Sequence, residues 1–220
     1  MSRRRILIVT VAVALPTFGH VSAQDPIASR PVVGHVAAGA TAPRGEADDF
    51  FHSGWRVSGG ATFHASPAIP LGMRLDLGIS RFYPLKQTVA TGTSPTLAQI
   101  EDGSLVLTHL MFDAIWEFGG HGRVGGWLGA GVGAVHRHLE VTGRFPAGSC
   151  NDVIDPGSCL VNLAKPFETE DQLTKIGFDV NAAVRFPLAS GSEIFLEASY
   201  QRLEFDPAME FIPVVVGFRW

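Results

Sequence analysis

Apolar and polar residues alternate along much of this chain. In the segment LTKIGFDVNAAVRF, Leu173 to Phe186, every second residue from Ile176 onward is apolar, while Lys175, Asp179 and Arg185 occupy the opposite phase. A period of two places successive side chains on opposite faces of a β-strand. The segment is also longer than a usual soluble strand. It therefore predicts a long strand with one apolar and one charged face.

Seven more segments have strand character, most of them with the same division into two faces. The eight predicted strands are 32–42, 55–64, 71–80, 106–117, 123–138, 173–186, 193–201 and 211–220. Short turns follow the second, fourth and sixth strands, whereas longer polar stretches follow the first, third and fifth, the longest at 141–171. Short turns on one rim and long loops on the other are typical of membrane barrels. The pattern predicts an all-β fold, an eight-stranded antiparallel up-and-down transmembrane β-barrel.

Aromatic residues on the apolar face support this interpretation over a soluble β-sandwich, the alternative fold. Trp55 and Tyr200 lie at the loop ends of their strands. A second group lies at the turn ends and consists of Phe63, Trp116, Phe186, Phe218 and Trp220. Aromatic rings prefer both interfaces of a membrane, so two belts are expected of a barrel that spans one.

The first 23 residues, MSRRRILIVTVAVALPTFGHVSA, have the features of a secretion signal. Three arginines precede a short apolar run, and Val21, Ser22 and Ala23 form a small-residue cleavage site. The run is too short for a membrane anchor, the alternative reading. We therefore expect a signal peptide at 1–23 and a barrel domain at 24–220. Removing the signal takes away three of 17 basic residues and none of 21 acidic ones, which leaves a net charge of −7. That charge argues against a nucleic-acid partner.

The last ten residues, FIPVVVGFRW, place Val216, Phe218 and Trp220 on one outward stripe with Arg219 facing inward. With the alternating strands, this stripe resembles the small eight-stranded outer-membrane β-barrel family of Gram-negative bacteria, the OmpA/OmpX-type. The resemblance covers about 31–220. It implies insertion among outer-membrane lipids, and recognition of Val216, Phe218 and Trp220 by the barrel assembly machinery. The last strand is expected to pair with the first, in a monomer.

Charged residues collect on the inward face. The basic members are Arg56, Arg74, Arg123, Arg137, Lys175, Arg185 and Arg219, and the acidic members are Asp76, Asp113, Glu117, Asp179 and Glu197. An eight-stranded barrel has room inside only for its own side chains. We therefore expect a plug of ion pairs built around Arg74, Asp76, Asp113, Glu117, Asp179, Arg185 and Glu197. The alternative is a narrow ion pathway.

One aromatic residue, Trp127, also falls on the inward face, beside Gly125, Gly129, Gly131 and Gly133. These glycines are expected to leave room for its ring. A β-bulge that shifts the phase would instead turn the ring outward.

Few residues suggest other chemistry. Cys150 and Cys159 lie in the longest loop, where a disulfide is expected on the oxidising side of the envelope. His136 and His138 share a face near the outer rim and could bind a metal or a lipid phosphate, although an ordinary surface pair is the simpler interpretation. His109 is interpreted as a hydrogen-bonded residue of the lumen. No serine accompanies a lipid-facing histidine, so we predict no enzyme, metal or cofactor.

The expected function is therefore non-enzymatic: envelope integrity, surface contact or ligand binding by the outer loops. Three alternatives stay open. They are a narrow channel or carrier of small hydrophobic molecules that resembles the OmpW-type, a lipid-modifying enzyme, and a soluble periplasmic barrel with an apolar interior.

Overall fold

The computed structural model describes residues 31–66, 69–85, 88–91, 96–119, 123–145 and 165–220. The predicted signal peptide at 1–23 lies outside these residues and stays a prediction. The strands are β1 Val32–Arg44, β2 Gly54–His64, β3 Leu71–Phe82, β4 Thr88–Thr91, β5 Thr96–Phe118, β6 Gly125–Phe145, β7 Lys165–Pro187, β8 Glu193–Leu203 and β9 Met209–Arg219. In the described part of the chain, the single helix is a five-residue 3-10 helix, Gly45–Asp49, and no helix is long and apolar enough to cross a membrane.

Eight of these strands close into an antiparallel barrel. Each pairs with its neighbour in chain order, with β5 next to β3, and β1 pairs with both β2 and β9. At the closure, Gly34 and Trp220 exchange backbone hydrogen bonds of 3.2 and 3.1 Å. Closure leaves no free edge at membrane depth, where lipid could not satisfy one. The predicted eight-stranded up-and-down barrel is confirmed.

The alternation seen in the sequence becomes a division between the lipid side and the interior. On β3, Met73 is 67% exposed and the next residue, Arg74, is 6% exposed. Val216 on β9 is 56% exposed, and its neighbour Val215 is 4% exposed. An apolar exterior around a charged interior is the reverse of a soluble protein, and it suits a bilayer as solvent. It also argues against the soluble periplasmic barrel.

Three strands are much longer than the sequence pattern indicated. β5, β6 and β7 have 23, 21 and 23 residues, whereas the other strands of the barrel have 11 to 13. The short strand β4, which was not predicted, pairs with the first residues of β5. The predicted loop at 141–171 was therefore too long, because β6 continues to Phe145 and β7 begins at Lys165. Polar residues on both faces hid these extensions from a search for apolar alternation.

Candidate functional site: the barrel interior and the outer ribbon

The interior nearest the short turns contains a balanced set of charges, which we call the lower layer. Its members are His64, Glu117, Arg185, Glu193 and Arg219. Arg219 Nη2 lies 2.7 Å from Glu117 Oε1, and Arg219 Nη1 lies 3.3 Å from Glu193 Oε2. Arg185 Nη1 lies 2.6 Å from Glu193 Oε1. Two arginines face two glutamates, so each buried charge has a partner.

A second set of polar and charged residues, the middle layer, lies further into the barrel. It comprises His35, Arg56, Arg74, Asp76, His109, Asp113, Asp179, Asn181, Glu197 and Gln201. Arg74 lies between two carboxylates: its Nε is 2.7 Å from Asp113 Oδ2 and its Nη1 is 2.5 Å from Glu197 Oε2. Arg56 donates to Gln201 Oε1 at 2.9 Å and to Asp76 Oδ1 at 3.3 Å. The bonds from Arg74 to Glu197 and from Arg56 to Gln201 cross the lumen to β8, whereas the other two join neighbouring strands.

Asp76 is also approached by two histidines. His35 Nε2 lies 2.9 Å from Asp76 Oδ2, a hydrogen-bonding distance. His109 Nε2 lies 3.7 Å from Asp76 Oδ1, which is too long for a direct hydrogen bond. The side chain of His109 is buried in the lumen as expected, but that nitrogen has no hydrogen-bond partner in the described structure.

Trp127 faces inward, so the β-bulge alternative is wrong. Its Nε1 donates to Glu197 Oε2 at 3.1 Å, and its ring packs edge-on against Phe195 with 5.1 Å between centroids. The guanidinium carbon of Arg219 lies 4.9 Å from the ring centroid. The indole therefore packs between the lower and middle layers, where its polar edge finds a partner.

The glycines of β6 make room for other side chains than the Trp127 ring, contrary to our expectation. A β-carbon at residue 129 would lie 2.6 Å from Asn181 Oδ1, and one at residue 133 would lie 2.7 Å from Met111 Sδ. A β-carbon at residue 125 would lie 2.9 Å from Arg185 Nε. This strand is glycine-rich because polar and apolar side chains from β5 and β7 lie over its backbone.

The seven residues proposed for the ion-pair plug all face the interior, and the structure brings six of them into ion pairs. Those six are Arg74, Asp76, Asp113, Glu117, Arg185 and Glu197. Asp179 instead accepts a hydrogen bond from Asn181 Nδ2 at 2.9 Å. Sequence reasoning missed Glu193, although it begins the predicted strand 193–201 and shares the phase of Glu197. It also missed His35, because the residues of the first predicted strand were not assigned to an inward and an outward face.

Three basic residues expected inside do not join either layer. Arg123 precedes β6 and is exposed, so its inward assignment was wrong. Lys175 is exposed, because β8 ends beside Gly177. Arg137 forms an ion pair with Asp171, and its guanidinium carbon lies 4.8 Å from the Phe205 ring centroid, above both layers.

Apolar side chains fill the outer end of the interior, a feature that the sequence analysis did not anticipate. This apolar cap consists of Ala47, Phe51, Phe82, Leu105, Leu107, Met111, Val135, Leu203, Phe205 and Phe211. The rings of Phe82 and Phe211 are in contact, with 4.7 Å between centroids. A cavity of about 10 Å³ lies under the cap, room for about one water molecule. The cap and the two charged layers together occupy the described interior from the short turns to the outer rim.

The outer face changes from apolar to polar at one row of paired residues. Leu110, Ala134 and Ile176 form the last apolar row on β5, β6 and β7, and Thr108, His136 and Thr174 form the next. His136 Nδ1 lies 2.9 Å from Thr174 Oγ1. One row further out, His138 Nδ1 lies 3.6 Å from Glu170 Oε1. Within the described residues no group of three or more metal-ligating side chains is assembled.

Beyond that row the three long strands continue as an outer ribbon, residues 96–104, 137–145 and 165–173. It extends about 30 Å along the strands at the usual rise per residue. Its outward face carries the exposed acids Asp102, Glu140, Glu168 and Glu170. In the described structure, β7 has no strand partner on its β8 side before Gly177. The ribbon therefore presents both an acidic face and an unpaired strand edge.

Aromatic side chains gather at both ends of the apolar exterior. Trp55 and Tyr200 are exposed near the loop ends, and Trp116 is exposed near the turn ends. Phe218 and Trp220 stack on the lipid-facing side of β9 with 6.0 Å between centroids. Val216 shares that stripe, but recognition of the stripe by assembly machinery stays a prediction. Cys150 and Cys159 lie outside the described residues, and their disulfide stays a prediction too.

Comparisons with known proteins find similarity among solved structures. No protein-family model matches the chain, and no curated protein sequence does. Among solved structures, the chain is similar to Neisserial surface protein A, with 15% identity, a TM-score of 0.50, and coverage of 86% of this chain and 94% of that one. It also matches Ail, the attachment invasion locus protein of Yersinia pestis, at 12% identity and a TM-score of 0.46, covering 87% and 100% of the two chains.

A third match is the N-terminal β-barrel domain of Pseudomonas aeruginosa OprF, at 17% identity and a TM-score of 0.40, covering 87% of this chain and 98% of that domain. The chain has the fold of an eight-stranded outer-membrane β-barrel. The resemblance inferred from the sequence is confirmed at this level.

Proposed function

We propose that this chain is an integral outer-membrane protein of Gram-negative bacteria whose outer ribbon makes contacts at the cell surface. The observation that carries the proposal is the unequal length of the strands. Eleven to 13 tilted residues suffice to cross a bilayer, so the further residues of β5, β6 and β7 are not needed for insertion. A projecting sheet of this size is a surface on which a partner can bind.

The chemistry of the ribbon favours a basic partner. Asp102, Glu140, Glu168 and Glu170 are exposed on one face, and such a face attracts cationic groups from a distance. Among the described residues no strand pairs with this edge of β7 before Gly177, and an extended segment of a partner can pair with such an edge by strand addition. Charge would therefore guide the encounter and backbone pairing would add affinity.

The interior supports a role without conduction or transport. Arg74 and Arg56 cross-link the middle layer, and the apolar cap fills the outer mouth. A carrier of small hydrophobic molecules would need an apolar cavity of several hundred Å³. The apolar region here is filled by its own side chains, so we favour surface contact over the OmpW-type role. On the lipid side, His136 bonds to Thr174, which gives no support to a lipid-modifying enzyme.

The test removes most of the ribbon on β6 and β7 and leaves the barrel strands in place. Leu139 and Asp171 are register partners, so residues 140–170 can be replaced by Asn-Gly, which closes a shorter β6–β7 hairpin and removes Glu140, Glu168 and Glu170. Cells that express either form would be tested for binding to immobilised polylysine, to heparin and to cells of the same strain. We expect wild-type cells to bind polylysine above the empty-vector level and the shortened form to lose that binding.

Two controls keep the result interpretable. The shortened protein should still fractionate with the outer membrane and shift its gel mobility on boiling, since its barrel is intact. A matched variant that replaces the opposite turn, residues 189–191, should bind like wild type. Unchanged binding by the shortened form would refute the role of the ribbon, and steady conductance by the purified barrel in planar bilayers would refute the sealed interior.

A further inference from the structure

Two buried carboxyl groups meet in the middle layer. Asp113 on β5, Gly131 on β6 and Asp179 on β7 occupy one register row, with the glycine between the two acids. Because residue 131 has no side chain, both acids lean over its backbone: a β-carbon there would clash with Asp113 Oδ1 and lie 2.6 Å from Asp179 Oδ1. The two Oδ1 atoms therefore lie beside each other over the glycine.

The oxygens that face each other have no other partner. Asp113 Oδ2 accepts from Arg74 Nε, and Asp179 Oδ2 accepts from Asn181 Nδ2, but Oδ1 of each acid has no hydrogen-bond partner in the described structure. Asp113 and Asp179 are 3% and 6% exposed. Two ionised carboxylates that lie so near each other at such burial would repel each other and leave both oxygens unsatisfied.

The charge balance of the middle layer also argues against two ionised carboxylates at Asp113 and Asp179. Four acids, Asp76, Asp113, Asp179 and Glu197, face two arginines, Arg56 and Arg74. The two histidines of the layer, His35 and His109, are both on the side of Asp76. Asp179 has no cation within ion-pair distance among the described residues, whereas Asp76 pairs with Arg56 and both Asp113 and Glu197 pair with Arg74. The layer therefore carries an excess of negative charge around Asp113 and Asp179.

We propose that Asp113 and Asp179 form a proton-binding site, in which one proton is held between their Oδ1 atoms in an O–H···O hydrogen bond across Gly131. One proton gives both unpartnered oxygens a partner and removes one of the excess charges. A metal ion would need further ligands, and the described residues assemble no group of three or more metal-ligating side chains. Asp113 keeps its ion pair with Arg74, so Asp179 is the acid that carries the proton formally.

Infrared spectroscopy of the refolded full-length barrel in detergent micelles at neutral pH tests this directly. A protonated carboxyl group has a C=O stretching band that carboxylates lack, and exposed acids are ionised under these conditions. We expect one such band per chain, shifted by ¹³C labelling of aspartate and by transfer to D₂O. Asp179→Asn should abolish it, because the amide then donates to an ionised Asp113. Asp76→Asn should leave it in place.

Stability gives a second readout that does not depend on the band. Asp179→Asn is a neutral mimic of the protonated acid, so the temperature at which gel mobility shifts should not fall. Asp76→Asn removes the partner of Arg56, so that temperature should fall clearly. The proposal is overturned if wild type has no protonated-carboxyl band, if the band survives in Asp179→Asn, or if Asp179→Asn destabilises the barrel as much as Asp76→Asn does. The proposal is also overturned, in favour of a bound metal ion, if the barrel is more stable in a buffer that contains sodium than in one whose only cation is a bulky organic ion.

Discussion

The two ends of the barrel interior are filled by different chemistry. Towards the short turns, arginines and carboxylates pair across the lumen, as between Arg219 and Glu117. Towards the outer rim, Phe82, Leu105 and Phe211 pack against one another with no charge among them. A charged pair constrains which strands face each other, since each charge needs its partner. Apolar packing constrains volume instead. The charged end therefore fixes specific cross-barrel pairings, and the apolar end closes the mouth.

The largest effect should come from Arg74→Ala. It leaves Asp113 and Glu197 buried without their shared cation, which costs about 3–5 kcal/mol for a broken buried pair. Urea titration of the refolded barrel in micelles would measure the loss. The control is Arg81→Ala on the outward face of the same strand, which removes no buried partner. Similar losses for both variants would mean that the interior pairs contribute no more than surface charges.

A smaller loss is expected for Leu105→Ala in the apolar cap. Leu105 is fully buried, so its truncation opens a cavity and should cost about 2–5 kcal/mol of unfolding free energy. Leu110→Ala is the matched control on the lipid side of β5, where acyl chains fill the space. Xenon or a small apolar dye should enter the new cavity in the Leu105 variant. If Leu105→Ala costs no more than Leu110→Ala, the cap is not packed as described.

Trp127→Phe probes the junction between the lower and middle layers. The phenyl ring keeps most of the packing against Phe195 but loses the hydrogen bond to Glu197, worth about 1.5–3 kcal/mol for a charged acceptor. The same urea titration would measure the change, with Trp116→Phe on the lipid face as control. An unchanged free energy of unfolding would mean that Trp127 stabilises the barrel through the packing of its ring and not through the hydrogen bond.

The smallest effect is expected for Gln201→Leu, where the charged and apolar regions meet. Its amide oxygen accepts from Arg56, and its side chain also lines the cavity beside Leu203 and Phe211. The lost hydrogen bond to a charged group is partly offset by added apolar burial, so the net loss should be about 1 kcal/mol. A gain in stability would show that the apolar region can extend down to Arg56.

Much of the fold was predictable because its rule is local. Alternation along β3 and β7 assigned Met73 and Val180 to lipid and Arg74 and Asp179 to the interior, and the exposures of these residues agree. The rule failed where the environment changes. The outer ribbon has water on its outward face, so β5 to β7 lose their apolar alternation there and were read as loops.

The sequence by itself determined the strands that cross the membrane, the face that each turns to lipid, and the charged character of the interior. Only the tertiary structure decided which charges meet: that Arg74 joins Asp113 to Glu197, that Glu193 joins Arg185 to Arg219, and that Asp113 reaches Asp179 across a glycine. The physical reason is that alternation specifies a face for each residue, whereas partners across a closed barrel depend on the register of every strand pair around the ring.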